Sequence, residues 1–76
     1  MPAEQPQWIT DARRCVGDRV RVARMRADMT QERLAQEAGV DRSTLQRIEA
    51  GSHDTRISQL LRLARALHLP VRDLLP

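Results

Sequence analysis

The sequence predicts an all-α fold, a compact bundle of five helices. Apolar residues recur at spacings of three and four along most of the 76-residue chain, which is the period of one helix face. No segment shows the period of two that a half-buried strand needs. No proline lies between Thr10 and Pro70, and Gly39 and Gly51 separate the helical segments, as glycines at helix ends do.

The length sets the domain organisation. Seventy-six residues form one domain at most. We expect residues 1–10 to be an N-terminal tail, because residues 1–8 hold two prolines and two glutamines. Residues 11–76 should form the folded domain. A chain this short buries about 60% of its unfolded surface, which leaves little room for a deep substrate cleft.

Several function classes are disfavoured by what the chain contains. One cysteine, Cys15, cannot form an internal disulfide or a cysteine-based zinc site, and it fits a reducing cytoplasm. His53 and His68 are fifteen positions apart, which is not a metal-ligand spacing. Neither a signal peptide nor a membrane span is visible. We therefore expect a cytoplasmic protein that is not an enzyme and has no metal, cofactor or membrane contact.

The charge is modest, but its composition is unusual. The net charge is +3, and all thirteen basic residues are arginines. Arginine is the better residue for bidentate contacts to phosphate and guanine. Codon usage in a GC-rich bacterial genome explains the same bias equally well, so composition alone leaves a nucleic-acid partner open.

The first two helices are predicted from caps and periodicity. The first should cover residues 11–27, with Thr10 or Asp11 as its cap and with a core stripe of Val16, Val20, Ala23 and Ala27. The second should follow Thr30, whose hydroxyl accepts from free amides of the first turn. It should end at Gly39, where a positive φ is needed. Its apolar face holds Leu34, Ala35 and Ala38.

The remaining helices follow the same logic. Asp41 should cap a third helix over residues 42–50, with Leu45 and Ile48 inward and Gly51 after its end. A fourth helix should cover residues 56–67. Its inward residues, spaced by three and four, are Ile57, Leu60, Leu61, Ala64 and Leu67. Pro70 suits the start of a short last helix over residues 71–75.

The segment 31–50 carries the most specific pattern. Two short helices are joined by a tight turn at residues 39–41, with small Ala35 where they approach and with Val40, Leu45 and Ile48 in the angle between them. With residues 16–21, 29–40, 42–51 and 60–67, the chain resembles the Cro/repressor helix-turn-helix family, the phage-repressor-like DNA-binding domains. The resemblance implies that helices two and three form the helix-turn-helix and that the third enters the major groove.

That docking geometry predicts which side chains read bases. Arg42, Ser43, Gln46 and Arg47 lie opposite Leu45 and Ile48 on the third helix. Arginine can hold guanine and glutamine can hold adenine through bidentate pairs, while serine is permissive. The alternative is a solvated polar face, with Arg47 paired to a neighbouring acid.

Phosphate contacts are expected on both sides of that helix. Thr30 and Gln31 lie at the start of the second helix, where free amides and the helix dipole favour an anion. His53, Thr55 and Arg56 precede the fourth helix. Members of the resembled family commonly have a proline and a small capping residue there, whereas this chain has Thr55 and Arg56.

Arg24 and Glu49 are predicted to form a structural ion pair. Arg24 lies beside the core stripe of the first helix, too near the core for a free charge. The resembled family pairs an arginine here with a glutamate at the position of Glu49. Such a pair would orient the third helix against the first.

A second apolar stripe is left over on the first helix. Trp8, Cys15 and Val22 are seven residues apart, Met25 lies beside them, and Leu63 is similarly off-centre on the fourth helix. These residues mark either a dimer surface or a place where the tail folds back.

Together these features predict a regulator of transcription, repressor-like, that binds double-stranded DNA. We expect a homodimer on a palindromic operator, with regulation by concentration, a partner protein or a further domain. The competing hypothesis is a protein-interaction module, for example an antitoxin that neutralises a partner protein. Arg42 and Arg47 favour nucleic acid, while Asp41 and Glu49 weaken that preference.

Overall fold

The structure, a computed structural model, describes residues 5–76 and is all-helical over that range. Four α-helices follow one another, α1 (Gln7–Arg26), α2 (Gln31–Ala38), α3 (Arg42–Glu49) and α4 (Ile57–Ala66). The last element, Val71–Leu74, is one turn of 3-10 helix, which we call η1. The all-α prediction is confirmed. The prediction of five helices is not confirmed, because the fifth element is a turn of 3-10 helix, with hydrogen bonds between residues three apart (Pro70 to Asp73 and Arg72 to Leu75).

Helix α1 begins earlier than the sequence predicted. It starts at Gln7, after Pro6, and not at Asp11. The carbonyl of Pro6 accepts from the amides of Ile9 and Thr10, and the fixed φ of proline suits a helix start. The predicted caps Thr10 and Asp11 therefore lie inside the helix. Of the predicted tail, residues 1–4 lie outside the described residues.

The core lies where all five elements meet. Its fully buried side chains come from every element and are Val20, Leu34, Leu45, Ile48, Leu63 and Leu74. Val16 and Ala23 pack at its edge as predicted, but Ala27 is exposed because α1 ends before it. Asp28, at φ 55°, turns the chain back toward α2.

Helices α2 and α3 begin directly after the residues that were predicted to cap them. The Thr30 hydroxyl accepts from the Arg33 amide at 3.1 Å, and Gly39 leaves α2 at φ 69°. Asp41 precedes α3 as predicted, but its side chain makes no capping hydrogen bond. Since α2 and α3 each have only eight residues, their stability must come largely from packing on the core.

Helix α4 faces the core with a different stripe from the predicted one. Leu60, Ala64 and Leu67 are buried as expected, but Leu63 is fully buried, whereas Ile57 and Leu61 are exposed. The helix is thus rotated toward Leu63. Leucines on both sides of the central stripe satisfy the same spacing rule, so periodicity could not choose between them. His68, after the helix, has φ 57°, a left-handed conformation that histidine adopts more readily than most residues do.

Candidate nucleic-acid interface

Helix α3 separates its side chains into an inward and an outward set. Leu45 and Ile48 are at most 1% exposed, and Thr44 is also buried. On the opposite side, four polar or basic side chains are exposed, those of Arg42, Ser43, Gln46 and Arg47. We call these four residues the α3 face. Since the inward set anchors the helix, the α3 face is presented to solvent on a fixed support.

The side chains of the α3 face have few competing partners. Arg42 Nη1 lies 3.9 Å from Glu32 Oε2, and both side chains are largely exposed, so this contact is weak. Arg47 Nη2 donates to the Thr44 hydroxyl at 3.5 Å. In the part of the chain that the structure describes, Arg47 makes no salt bridge to a carboxylate. Both guanidinium groups therefore remain able to bind a ligand.

The start of α2 lies beside α3. Thr30 caps the helix with its hydroxyl oxygen, and its O–H hydrogen is still available as a donor. Gln31 Nε2 donates to Glu49 Oε1 of α3 at 3.2 Å. The amides of residues 31 and 32 come before the first intrahelical bond, as in any helix start. This end of α2 thus offers donors next to the α3 face.

Arg24 and Glu49 form a bidentate ion pair between α1 and α3. Arg24 Nε donates to Glu49 Oε2 at 2.8 Å and Arg24 Nη2 to Glu49 Oε1 at 3.0 Å. The two side chains are 15% and 5% exposed. Arg24 Nη1 also donates to the Met29 carbonyl at 2.8 Å. One guanidinium therefore ties together α1, the connection to α2, and α3.

The pKa of Arg24 reflects this arrangement. Its hydrogen bonds to Glu49 raise the pKa above the ordinary arginine value, and the attraction of the Glu49 charge adds to them, whereas burial acts in the opposite direction. The raising effects prevail, so the guanidinium stays charged and keeps Glu49 neutralised.

The segment before α4 is organised by a residue that the sequence analysis missed. Gln59 Oε1 accepts from the Arg56 amide at 2.9 Å and lies 3.3 Å from His53 Nε2. Arginine has no acceptor, so the cap at Arg56 depends on Gln59, the residue at the third helical position. A glutamine at that position is a known helix-start signal and could have been recognised.

A second missed contact joins this segment to α1. Arg13 pairs with Asp54 at 3.1 Å, across 41 positions of sequence, so no local pattern could reveal it. His53 and Thr55 are half-buried and Arg56 is exposed. The side-chain polar contacts found for residues 53–56 run to α1 and α4. The loop is joined to α3 through Ser52, whose hydroxyl donates to the Arg47 carbonyl at 3.3 Å.

Two further observations concern other kinds of site. Within residues 5–76, no three His, Cys, Asp or Glu side chains are grouped so as to hold a metal ion. None of the helices described for these residues has the length and apolar character needed to cross a membrane.

Comparison with known proteins gives one family and several solved structures. Residues 16–75 match the model of a family described as a helix-turn-helix domain. No curated protein is a significant match to the sequence. The restriction-modification controller protein C.AhdI from Aeromonas hydrophila is similar in structure, with a TM-score of 0.80 and 34% identity over 82% of this chain and 94% of that one.

Two other structures are similar at lower identity. The crystal structure of a hypothetical transcription factor, NHTF from Neisseria, has a TM-score of 0.83 and 29% identity, covering 100% of this chain and 86% of its own. A point mutant of the restriction-modification controller protein C.Esp1396I has a TM-score of 0.73 and 28% identity, covering 76% of this chain and 73% of its own.

Proposed function

The chain belongs to the helix-turn-helix domain family, and from this membership we propose that it binds double-stranded DNA in a sequence-specific way and regulates transcription. The observation that carries the proposal is the α3 face, with two exposed arginines above the buried Leu45 and Ile48. The names of the similar structures, two restriction-modification controllers and a hypothetical transcription factor, support a role in transcription control.

In this proposal α2 and α3 form the helix-turn-helix, and the first half of α3 enters the major groove. Helix-turn-helix domains dock with the start of their recognition helix against base edges. Arg42 and Arg47 would each hold a guanine, Gln46 an adenine, and Ser43 would tolerate several bases. The exposure of these four side chains supports this assignment.

The DNA backbone would be held at two places. Thr30, Gln31 and the free amides at the start of α2 would meet one phosphate. His53, Thr55 and Arg56 would meet the backbone on the other side of α3. Arg56 is the exposed cation of that loop, and the Gln59 cap fixes its backbone. These contacts would set the position of α3 without reading sequence.

We further propose a repressor-like homodimer on a palindromic operator, with two α3 helices about 34 Å apart. Exposed apolar residues supply two candidate interfaces. Trp8 and Met25 are 70% and 57% exposed on α1, and Ile57 and Leu61 are 74% and 51% exposed one turn apart on α4. Leu63 no longer belongs to either surface, because it is buried. Sedimentation of the Leu61→Arg and Met25→Arg variants would distinguish the two interfaces, because only the substitution in the true interface should yield a monomer.

A mobility-shift titration against fragments of the source genome tests the proposed function. Binding should saturate and weaken steeply between 50 and 200 mM salt, to roughly a thousandfold lower affinity if about six phosphates are contacted. The Arg42→Ala/Arg47→Ala double variant should lose sequence preference. The matched control is Arg62→Ala/Arg65→Ala, which removes the same charge from exposed positions of α4. Equal losses in both variants, or no binding at low salt, would reject the proposal.

A further inference from the structure

Glu49 has a third hydrogen-bond partner beyond the ion pair. Its carboxylate accepts twice from Arg24 of α1 and once from Gln31 Nε2 of α2. The Glu49 side chain is 5% exposed, so water has little access to these bonds. One buried carboxylate therefore holds the side chain at the first position of α2.

The carboxylate is itself held in a fixed position. The planar guanidinium of Arg24 grips both of its oxygens, at 2.8 and 3.0 Å, which fixes the carboxylate plane as well as its position. Arg24 also holds the Met29 carbonyl at 2.8 Å, immediately before the cap residue Thr30. The same cation thus fixes the acceptor for Gln31 and the backbone that leads to Gln31.

We propose that Glu49 is a positioning residue for Gln31, holding its amide in the orientation in which it meets a DNA phosphate. This inference rests on the proposed function and deepens it. A glutamine amide nitrogen carries two hydrogens. One binds Glu49, and the other is directed to the phosphate. Because Arg24 neutralises Glu49, the carboxylate can lie behind this contact without repelling the phosphate.

The gain in DNA affinity comes from a Gln31 side chain that is already ordered before DNA binds. A free glutamine side chain has several rotamers, and fixing one of them on binding costs affinity. In this structure the bond to Glu49 fixes the side chain in the free protein. Loss of that bond should weaken DNA binding about fivefold, which is the typical effect of ordering one such side chain.

A double-mutant cycle on DNA affinity tests the proposal. Gln31→Met keeps the side-chain length but removes the donor, and Glu49→Asp keeps the charge but shortens the side chain. Glu49→Asp should weaken binding about fivefold. Gln31→Met should weaken it at least as much, because it also removes the donor to the phosphate, and the double variant should be no weaker than Gln31→Met alone. Gln36→Met, on an exposed position of the same helix, is the control and should bind as the unmodified chain does. Losses that multiply in the double variant would show that Glu49 acts independently of Gln31.

The side-chain amide resonances of the unmodified chain give a second test that needs no variant to fold. In the free protein, one Gln31 amide proton should be displaced from the free-glutamine position and exchange slowly. Addition of DNA should shift the other proton and leave the first in place. The proposal would be overturned if both Gln31 amide protons resonated at the free-glutamine position, or if DNA binding broke the hydrogen bond between Gln31 and Glu49. If the unmodified chain did not bind DNA, the proposed function would be overturned instead. The Gln31 amide proton of the free protein would still be displaced in that case, so the two failures can be told apart.

Discussion

Gly17 of α1 lies directly against the backbone of Ile48 in α3, with no side chain between the two helices. A methyl group on Gly17 would collide with the Ile48 carbonyl oxygen and would lie 3.0 Å from the Glu49 carbonyl oxygen. Both of these atoms belong to helical backbone, so neither can move aside as the end of a flexible side chain could. The spacing of α1 and α3 therefore depends on the absence of a side chain at position 17.

Gly17→Ala should reverse the usual effect of alanine in a helix. In an open helix this change stabilises by about 1 kcal/mol, but here the collision should lower the free energy of unfolding by about 2 kcal/mol. Urea denaturation followed by circular dichroism measures it. Ser58→Ala, at an exposed position of α4, should change the value by less than about 0.5 kcal/mol. A Gly17→Ala variant at least as stable as the unmodified chain would contradict the close approach.

The Arg24–Glu49 pair should show the asymmetry of a buried ion pair. Arg24→Leu leaves the Glu49 charge buried and unpaired, which should cost about 3 kcal/mol. Arg24→Leu/Glu49→Leu should cost less than Arg24→Leu alone. The exposed pair Arg33–Glu37 of α2 supplies the control, because Arg33→Leu should cost less than about 1 kcal/mol. Equal effects of Arg24→Leu and Arg33→Leu on the urea midpoint would argue against a buried pair.

The rotation of α4 can be tested with two leucines that lie two positions apart and on different sides of the helix. Leu63 is fully buried and Leu61 is 51% exposed. Leu63→Ala should lower the free energy of unfolding by about 3 kcal/mol through the cavity it leaves, whereas Leu61→Ala should lower that of the monomer by less than about 1 kcal/mol. Thermal melts at low protein concentration compare them. A larger loss for Leu61→Ala than for Leu63→Ala would instead support the inward face predicted from periodicity, which contained Leu61.

Base reading and backbone holding should respond differently to mutation. Arg47→Ala should relax preference at one base position, with a loss of about 1–3 kcal/mol of discrimination. Arg56→Ala should weaken binding to all sequences alike and reduce the slope of affinity against salt. Selection from a random DNA pool, with salt titrations of the selected site, measures both. If Arg56→Ala changed the selected consensus and Arg47→Ala did not, the two roles would have to be exchanged.

Features that depend on neighbouring residues were predictable from the sequence. Thr30 as cap and Gly39 as helix end follow from rules that act within one turn. The burial of Leu45 and Ile48 follows from the period of a short helix between two such ends. These features fix α2, α3 and the turn between them, which is why the outward set on α3 could be named.

Features that depend on packing between distant parts of the chain could not be predicted from the sequence. The start of α1 was placed at Asp11 because Thr10 and Asp11 resemble a cap, yet Pro6 begins the helix. The rotation of α4 depends on how it meets the other helices, which periodicity does not contain. The partner of Arg24 came from family resemblance, and the pairing of Arg13 with Asp54 had no local signal at all.

On α3, one set of side chains anchors the helix to the core and a different set faces solvent, which affects how binding preference can change. Leu45, Ile48 and Glu49 anchor the helix. The α3 face is exposed, so it should contribute little to the free energy of unfolding. Those four outward side chains can therefore be exchanged with little loss of stability. Under the proposed function, a few single substitutions on an unchanged scaffold would then be enough to change which operator the protein binds.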